Sequence, residues 1–358
     1  MTATVVHVAS GREWRGGQRQ TWLLARELAR LGVPQRVVTA AGGELARRVA
    51  EAGVEVHGVT WRAGLDPRAL VALRREVRAG VILHAHDAHA LTLAAAAAWP
   101  RRVPLVVTRR VDFPLQRRGC WTRADRVIAI SDAVASVLRA DGLDPRRIVV
   151  VHSGIDLEAA ERAAPSGVRQ RLAIPAGAPL AAHLGALVPH KDQATLIRAA
   201  ALARSTAPDL HWVIGGEGEL RGELSRLVDR LDLGDHVHLV GQLSDPLGLL
   251  AEADLFVMSS REEGLGTAVL DAMARGIPVA STRAGGLPEM LQDGAGLLVP
   301  AGDPSALADA VTRLVHDPAL RAELGARGRA GARRFSAARM AAEVVTVYRS
   351  FATFVEGT

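Results

Sequence analysis

The sequence predicts an α/β protein of two lobes, each a parallel sheet covered by helices. Short apolar segments alternate with helical stretches along the chain, the pattern of strands buried on both faces. A stretch rich in proline and glycine, residues 163–178, interrupts that alternation near the middle. A length of 358 residues with 49% hydrophobic content is enough for two cores of ordinary size.

Residues 4–8 read as the first buried strand, followed by the loop S-G-R-E-W-R-G-G-Q and a helix from about Gln18 to Leu31 that Gly32 ends. Gly16 and Gly17 let backbone come close to a ligand at a helix N-terminus, where free amides favour an anion. No G-x-G-x-x-G stands at this turn, which counts against a dinucleotide-dependent dehydrogenase. Further strands are predicted at 36–39, 54–59, 81–85, 103–108, 126–130 and 148–151. Ligands of such sheets bind beyond the carboxyl ends of the strands, so the loops that follow them are where chemistry is sought.

The fourth strand runs into H-A-H-D-A-H, with His84, His86, Asp87 and His89. Clustered His and Asp raise the question of a metal. The H-x-H-x-D-H arrangement of binuclear hydrolases needs Asp at 88, where Ala stands, so a strand-end packing role is expected for His84 and His89 and no metal is expected. The loop after the fifth strand, T-R-R-V-D-F-P-L-Q-R-R-G-C-W, pairs arginines (Arg109 and Arg110, Arg117 and Arg118) with Phe113 and Trp121. That combination suits an anionic lipid surface or a phosphorylated acceptor, and would also suit nucleic acid.

The second lobe opens with a strand from Pro179 and the sequence G-A-L-V-P-H-K, with Gly185, Ala186 and Lys191, before a helix from about Asp192. Strands at 211–215 and 237–240 follow, the first running into G-G-E-G with Gly216. Residues 255–258 form a buried strand, 259–266 a polar loop with Gly264 and Gly266, and Thr267 begins a helix capped at Gly276 and stopped by Pro278, after which another strand runs to about Ser281. Glu263 and Asp271 bracket this loop eight residues apart, a separation of about 12 Å if all eight are helical. Carboxylates accept from vicinal hydroxyls. The spacing therefore suits two hydroxyl-rich rings on either side of a pyrophosphate, or equally a plain helix start flanked by surface acids.

At these residues E-G-L-G-T-x-x-L-D-A-M-A-x-G-I-P-V resembles the signature of family-4 glycosyltransferases, retaining enzymes of the GT-B fold that use nucleoside-diphosphate sugars. G-G-L-P-E at 285–289 and R-F-S at 334–336 match as well. The resemblance implies two facing Rossmann-like domains: 1–165 binding the acceptor, 166–335 binding the donor, and 336–358 a helix returning to the first. It places Glu263 on the donor sugar and Asp271, an aspartate where the family has glutamate, on the ribose. Gly16, Gly17, Gly185, Gly216, Gly264, Leu265, Gly266, Thr267 and Lys191 fall around the nucleotide and its diphosphate. His86 is expected among the catalytic residues, and Asp87, Arg109 and Arg110 on the acceptor side. Two departures stand out: Ala186 replaces an arginine expected on the pyrophosphate, and Arg109-Arg110 occupy the place of a common histidine.

Charge is uneven. Residues 1–168 hold 25 arginines against 16 acids, net +9, and the remainder nets −3. Either the first half meets something anionic, such as the inner face of a membrane, or the composition is simply Arg-rich. Nucleic acid is not expected as a partner. Arginine occurs 43 times and lysine once, at Lys191, where a compact ammonium differs from a planar fork. One cysteine, Cys120, allows no internal disulfide, and the first residues lack the pattern of a signal peptide, so a cytoplasmic setting is expected. The partners expected are a nucleotide-sugar donor and a hydroxyl acceptor, with no cofactor. The rival readings are a metal-dependent hydrolase built on His84, His86 and His89, and a GT-B nucleotide-sugar epimerase.

Overall fold

The computed structural model describes residues 3–61, 66–99, 102–115 and 119–351. Arg117, Arg118 and the end of the expected C-terminal helix lie outside the described residues. The chain divides into two compact units, one running to Gly154 and resuming at Ser336, the other Ile155–Phe335.

The first unit holds seven strands: β1 (Thr4–Ala9), β2 (Gln35–Ala40), β3 (Glu55–Val59), β4 (Val81–Ala85), β5 (Leu105–Arg109), β6 (Arg126–Ala129) and β7 (Ile148–Val150). They form one parallel sheet in the order β3-β2-β1-β4-β5-β6-β7. The helix Gly16–Arg30 places Leu23, Leu24 and Leu28 on one stripe against Val5, Ile82 and Val106 of the sheet. Gly32, at φ +70°, ends it in the left-handed turn that glycine tolerates best. The helix Ala337–Arg349 joins the same core through Met340, Val344 and the fully buried Tyr348.

The second unit holds six strands: β8 (Leu180–Leu184), β9 (His211–Gly215), β10 (Val237–Gly241), β11 (Leu255–Met258), β12 (Val279–Thr282) and β13 (Leu297–Val299). All pair in parallel, in the order β10-β9-β8-β11-β12-β13. Its core gathers Trp212, Ile214, Leu255 and Val257 beneath Leu196, Ile197, Leu307, Val311 and Leu314.

The division at Gly154 precedes the proline- and glycine-rich stretch expected to link the lobes. That stretch is packed into the second unit because Glu252 gathers its donors: Val168 N and Arg169 N at 2.9 Å each and Ser166 Oγ at 3.0 Å. Strand order reverses between β1 and β4 in the first sheet and between β8 and β11 in the second. Such reversals open a crevice at the carboxyl ends of the two strands, the usual ligand position of an open α/β sheet.

Candidate functional site

In the second unit, the loops after β8 and β11 meet at the reversal. His190 O accepts from Arg261 N at 2.8 Å, and Ser259 Oγ donates to Lys191 O at 3.0 Å, so one loop is built on the other. Across this seam the Lys191 ammonium donates to Glu263 Oε2, and Ser260 Oγ donates to the same oxygen at 3.3 Å. Both partners of the ion pair are mostly buried, with side-chain exposures of 17% and 10%. The ion pair and the Ser260 hydroxyl together fix the Glu263 carboxylate between the two loops. A second pair, Arg261 Nε to Asp192 Oδ2 at 2.7 Å, closes the other side. Asp192 also caps the helix Gln193–Ala203 through Thr195, its own backbone in the left-handed region at φ +46°.

Gly266 turns the chain into the helix Thr267–Ala274 with φ +92°, and a Cβ there would stand 2.8 Å from Leu287 Cδ2. Glu263, Gly264 and Leu265 are buried, and Gly286 N donates to Glu263 O at 2.9 Å. The Leu265 side chain belongs to the core, so only its backbone is available to a ligand. Because the helix begins at Thr267, four of the eight steps from Glu263 to Asp271 are helical, and the 12 Å expected for eight does not apply. Asp271 stands one turn above Thr267 on the same face, about 6 Å along the axis, and is 3% exposed.

Gly185 and Gly216 are explained locally. Gly216 has φ +144°, and a Cβ on it would lie 1.9 Å from Gly185 O, so the glycines let the loops after β8 and β9 touch backbone to backbone. Beside them His183 Nδ1 bonds to Val257 O at 2.9 Å, and burial lowers its pKa to about 4, which keeps the ring neutral.

The first unit's reversal is built differently. His7 and His84 lie side by side in register on β1 and β4, and His86 follows β4. His84 spends both ring nitrogens on Tyr348 OH, 2.6 Å, and Thr108 Oγ1, 2.8 Å, fixing the C-terminal helix to the sheet. His86 Nδ1 takes a hydrogen bond from Arg110 Nη2 at 3.2 Å, and its Nε2 lies 2.9 Å from His7 Nδ1. Burial pulls His7 to about 4 and both His84 and His86 well below the usual range, so all three rings are neutral. Burial also lowers Arg110, to about 10.

Asp87 caps the helix Ala88–Ala98 through Ala90 N, 2.8 Å, and accepts from Ser10 N and Ser10 Oγ, tying the loops after β1 and β4 together. Arg109 folds its own loop, donating to Val111 O and Phe113 O at 3.2 and 2.6 Å and lying against the Phe113 and Trp121 rings. Arg110 instead lies over Gly17, its Cδ 3.7 Å from where a Cβ would stand. Gly16 has open space around it.

The histidine set that assembles is His7, His84 and His86, whereas His89 sits beside Trp61. Among the described residues this set uses every ring nitrogen except His7 Nε2 in hydrogen bonds, and the Arg110 cation touches it. Both features compete with a metal ion for these rings, and the hydrolase reading is not the favoured one. His7 was not singled out from the sequence. The signal was a lone histidine inside the otherwise apolar strand T-V-V-H-V-A.

The Glycosyltransferase Family 4 profile matches residues 14–159, and that of Glycosyl transferases group 1 matches residues 167–331. The chain is 31% identical over 332 residues to the lipopolysaccharide core biosynthesis glycosyltransferase LpsD of Rhizobium meliloti, covering 90% of this chain and 91% of that one. It is 35% identical over 190 residues to the GDP-mannose-dependent monoacylated alpha-(1-6)-phosphatidylinositol monomannoside mannosyltransferase of Corynebacterium glutamicum, over 50% of this chain and 49% of that one. Several relatives are thus matched over less than half of their own length. Among solved structures, HepE of Anabaena in complex with UDP-glucose superposes with a TM-score of 0.86 at 22% identity, over 97% of this chain and 100% of that one. The two parallel-sheet units are those of the GT-B glycosyltransferases. With both profiles in order along the sequence and one relative matched over nearly its whole length, this chain belongs to the family-4, group 1 glycosyltransferases.

Proposed function

We propose that this protein transfers a sugar from a nucleoside-diphosphate sugar to a hydroxyl of a glycan, a lipid-linked glycan or a small molecule, with retention at the anomeric carbon. The observation that carries the reading is the Glu263–Lys191 pair at the reversal of the second sheet, next to the glycine turn that opens the helix Thr267–Ala274. In this reading the second unit binds the donor and the first the acceptor. Glu263 holds sugar hydroxyls and Asp271 the ribose. Lys191 and the amides from Gly264 to Thr267 stabilise the departing diphosphate, with no metal required. The bond from C1 to the diphosphate oxygen breaks as the acceptor oxygen bonds C1 on the same face, and the acceptor's proton passes to a phosphate oxygen of the leaving group.

Relatives support this choice by what their names state: lipopolysaccharide core synthesis, GDP-mannose with a phosphatidylinositol mannoside acceptor, and a complex with UDP-glucose. A cell-envelope glycan acceptor fits them. Among the described residues no helix is long and apolar enough to cross a membrane. We extend the reading to a peripheral contact between the arginine-rich first unit and an anionic surface, to be measured by sedimentation with neutral and anionic vesicles.

The test is turnover: UDP-, GDP- and ADP-sugars offered with glycan and glycolipid acceptors, with the product anomer read by proton NMR. Release of one nucleoside diphosphate with the donor's anomeric configuration kept in the product is expected. Release with inversion would overturn retention, and no release from any donor would overturn the activity.

A further inference from the structure

The register of β8 with β11 ends at the pair Ala182 and Phe256. One residue on, a side chain spans the opening: His183 Nδ1 lies 2.9 Å from Val257 O. A carbonyl only accepts, so the ring proton sits on Nδ1, and because burial keeps the ring neutral, Nε2 is a bare acceptor. Gln193, fully buried at the start of the helix Gln193–Ala203, meets it there. Gln193 Nε2 lies 3.3 Å from His183 Nε2 and 2.9 Å from Ala186 O, two acceptors that take its two amide protons.

The orientation of this amide is forced, because the opposite one would set Oε1 against both acceptors. It leaves Gln193 Oε1 buried with no hydrogen-bond partner among the described residues. An apolar side chain of the same shape would avoid that loss. The N–H side of Gln193 is therefore where the residue contributes.

What it holds is the loop that carries Lys191. A Cβ on Gly185 would lie 3.2 Å from His183 Nε2 and 3.8 Å from Gln193 Nε2, so the loop rests directly on the pair. Ala186 stands at the start of the loop and Gln193 just after its last turn, Pro189–Lys191, so the bond between them closes the loop at its base. The peptide after Ala186 is gripped on both sides, its carbonyl by Gln193 and by Val188 N at 3.0 Å, its N–H by Glu217 O at 3.0 Å. Ser259 holds the Lys191 carbonyl from the loop after β11. Lys191 is thus fixed by one support from β11 and by a second that runs from β11 through His183 and Gln193.

We propose that Gln193 and His183 are positioning residues for sugar transfer, which hold the loop from Gly185 to Lys191 in the shape that sets the Lys191 ammonium for the departing diphosphate. The inference rests on the reading that this loop meets a nucleoside-diphosphate sugar. Both side chains are buried beneath the loop, at 0% and 1% exposure, and act through Lys191 without touching the donor.

Steady-state kinetics on the full chain test it, with UDP-, GDP- and ADP-sugars offered together with glycan and glycolipid acceptors. The proteins are wild type, Gln193→Met, which keeps the volume and removes the N–H groups, His183→Leu, Lys191→Ala, and the double variant of Gln193→Met with Lys191→Ala. Gln193→Met is expected to lower kcat about tenfold while KM for the donor changes less than about threefold, and His183→Leu to act in the same direction. In the Lys191→Ala background Gln193→Met is expected to lower kcat by less than about twofold, because the group it positions is gone. The same loss in both backgrounds would mean packing alone and overturns the inference, as does a kcat/KM within about twofold of wild type in both Gln193→Met and His183→Leu. Should these variants not fold, the nitrogen-15 NMR spectrum of histidine-labelled wild type at neutral pH decides. A proton on His183 Nδ1 with Nε2 bare is expected, and a proton on Nε2 would turn the Gln193 N–H groups away and overturn the inference. A wild type that releases no nucleoside diphosphate from any of the donors overturns the donor reading and the inference with it, whereas the other contrary results strike the inference alone.

Discussion

The two sheets reverse their strand order in the same way but furnish the reversal with opposite electrostatics. Between β8 and β11 the side chains are charged and matched, Lys191 with Glu263 and Arg261 with Asp192. Between β1 and β4 they are neutral imidazoles, and the arginine they carry, Arg110, has no ion pair among the described residues, Asp87 acting on it only from a distance. A matched pair fixes a buried carboxylate in place, which suits hydroxyl recognition. A neutral network leaves a cation unspent, which suits an incoming anion. The topology thus supplies two similar crevices, and the buried polar side chains make them different.

The comparison breaks most directly at its charged half. Glu263→Gln and Lys191→Ala are each expected to lower kcat/KM for sugar transfer by about a hundredfold or more, the scale of removing one preorganised electrostatic group. Arg261→Ala, whose side chain is 58% exposed, is expected to change it less than about threefold. Equal losses in the two alanine variants would show that the pairs are equivalent and that burial does not distinguish them.

Acid separates the two halves next. His7 and His183 are held at about 4 against an ordinary 6.5 by burial, so below pH 6.5 the unfolded chain takes up protons that the native chain refuses. Stability therefore falls as pH drops from 6.5 toward 4, by about 3 kcal/mol for each such histidine. The first unit also holds His84 and His86 well below the ordinary range, whereas the second adds the less deeply buried His211 and His238, also lowered by burial, so the first is expected to lose protection first. Amide hydrogen exchange at pH 7 and pH 5 measures this, and a second unit that opens first would contradict it.

Two smaller effects sharpen the contrast. Tyr348→Phe leaves His84 Nδ1 unpartnered in the core and is expected to cost about 1–3 kcal/mol in denaturant unfolding. Asp271→Asn is expected to weaken the bound nucleoside diphosphate by about threefold to tenfold in titration calorimetry, with a smaller loss when the ribose hydroxyls are missing from the probe.

The strands of both sheets were legible in the sequence because each is a short apolar run bounded by turn residues, and the loop around Glu263 because its glycines and helix start have fixed signatures. β13 was not, since Leu297–Val299 is three residues long and leaves little pattern. The helices Pro304–His316 and Pro318–Ala332 were also missed, although each opens with an Asp–Pro pair whose aspartate caps it. Composition marks residues 163–178 as loose, and only the distant Glu252 shows why they are fixed to the second unit. The histidine network was hidden for a related reason: His7 and His86 lie 79 residues apart and meet only when β1 pairs with β4. Sequence spacing shows which residues can share a loop, and strand order decides which loops meet.

The central claim is that the second unit's reversal is a nucleotide-sugar site held by the Lys191–Glu263 pair. Titration calorimetry of UDP, GDP and ADP against wild type and Lys191→Ala tests it most directly. The account predicts that one nucleoside diphosphate binds the wild type and weakens about tenfold or more in a folded Lys191→Ala protein, whose thermal midpoint also falls because Glu263 is left without its partner. Equal affinity in both proteins, or binding of none of the three, would contradict it.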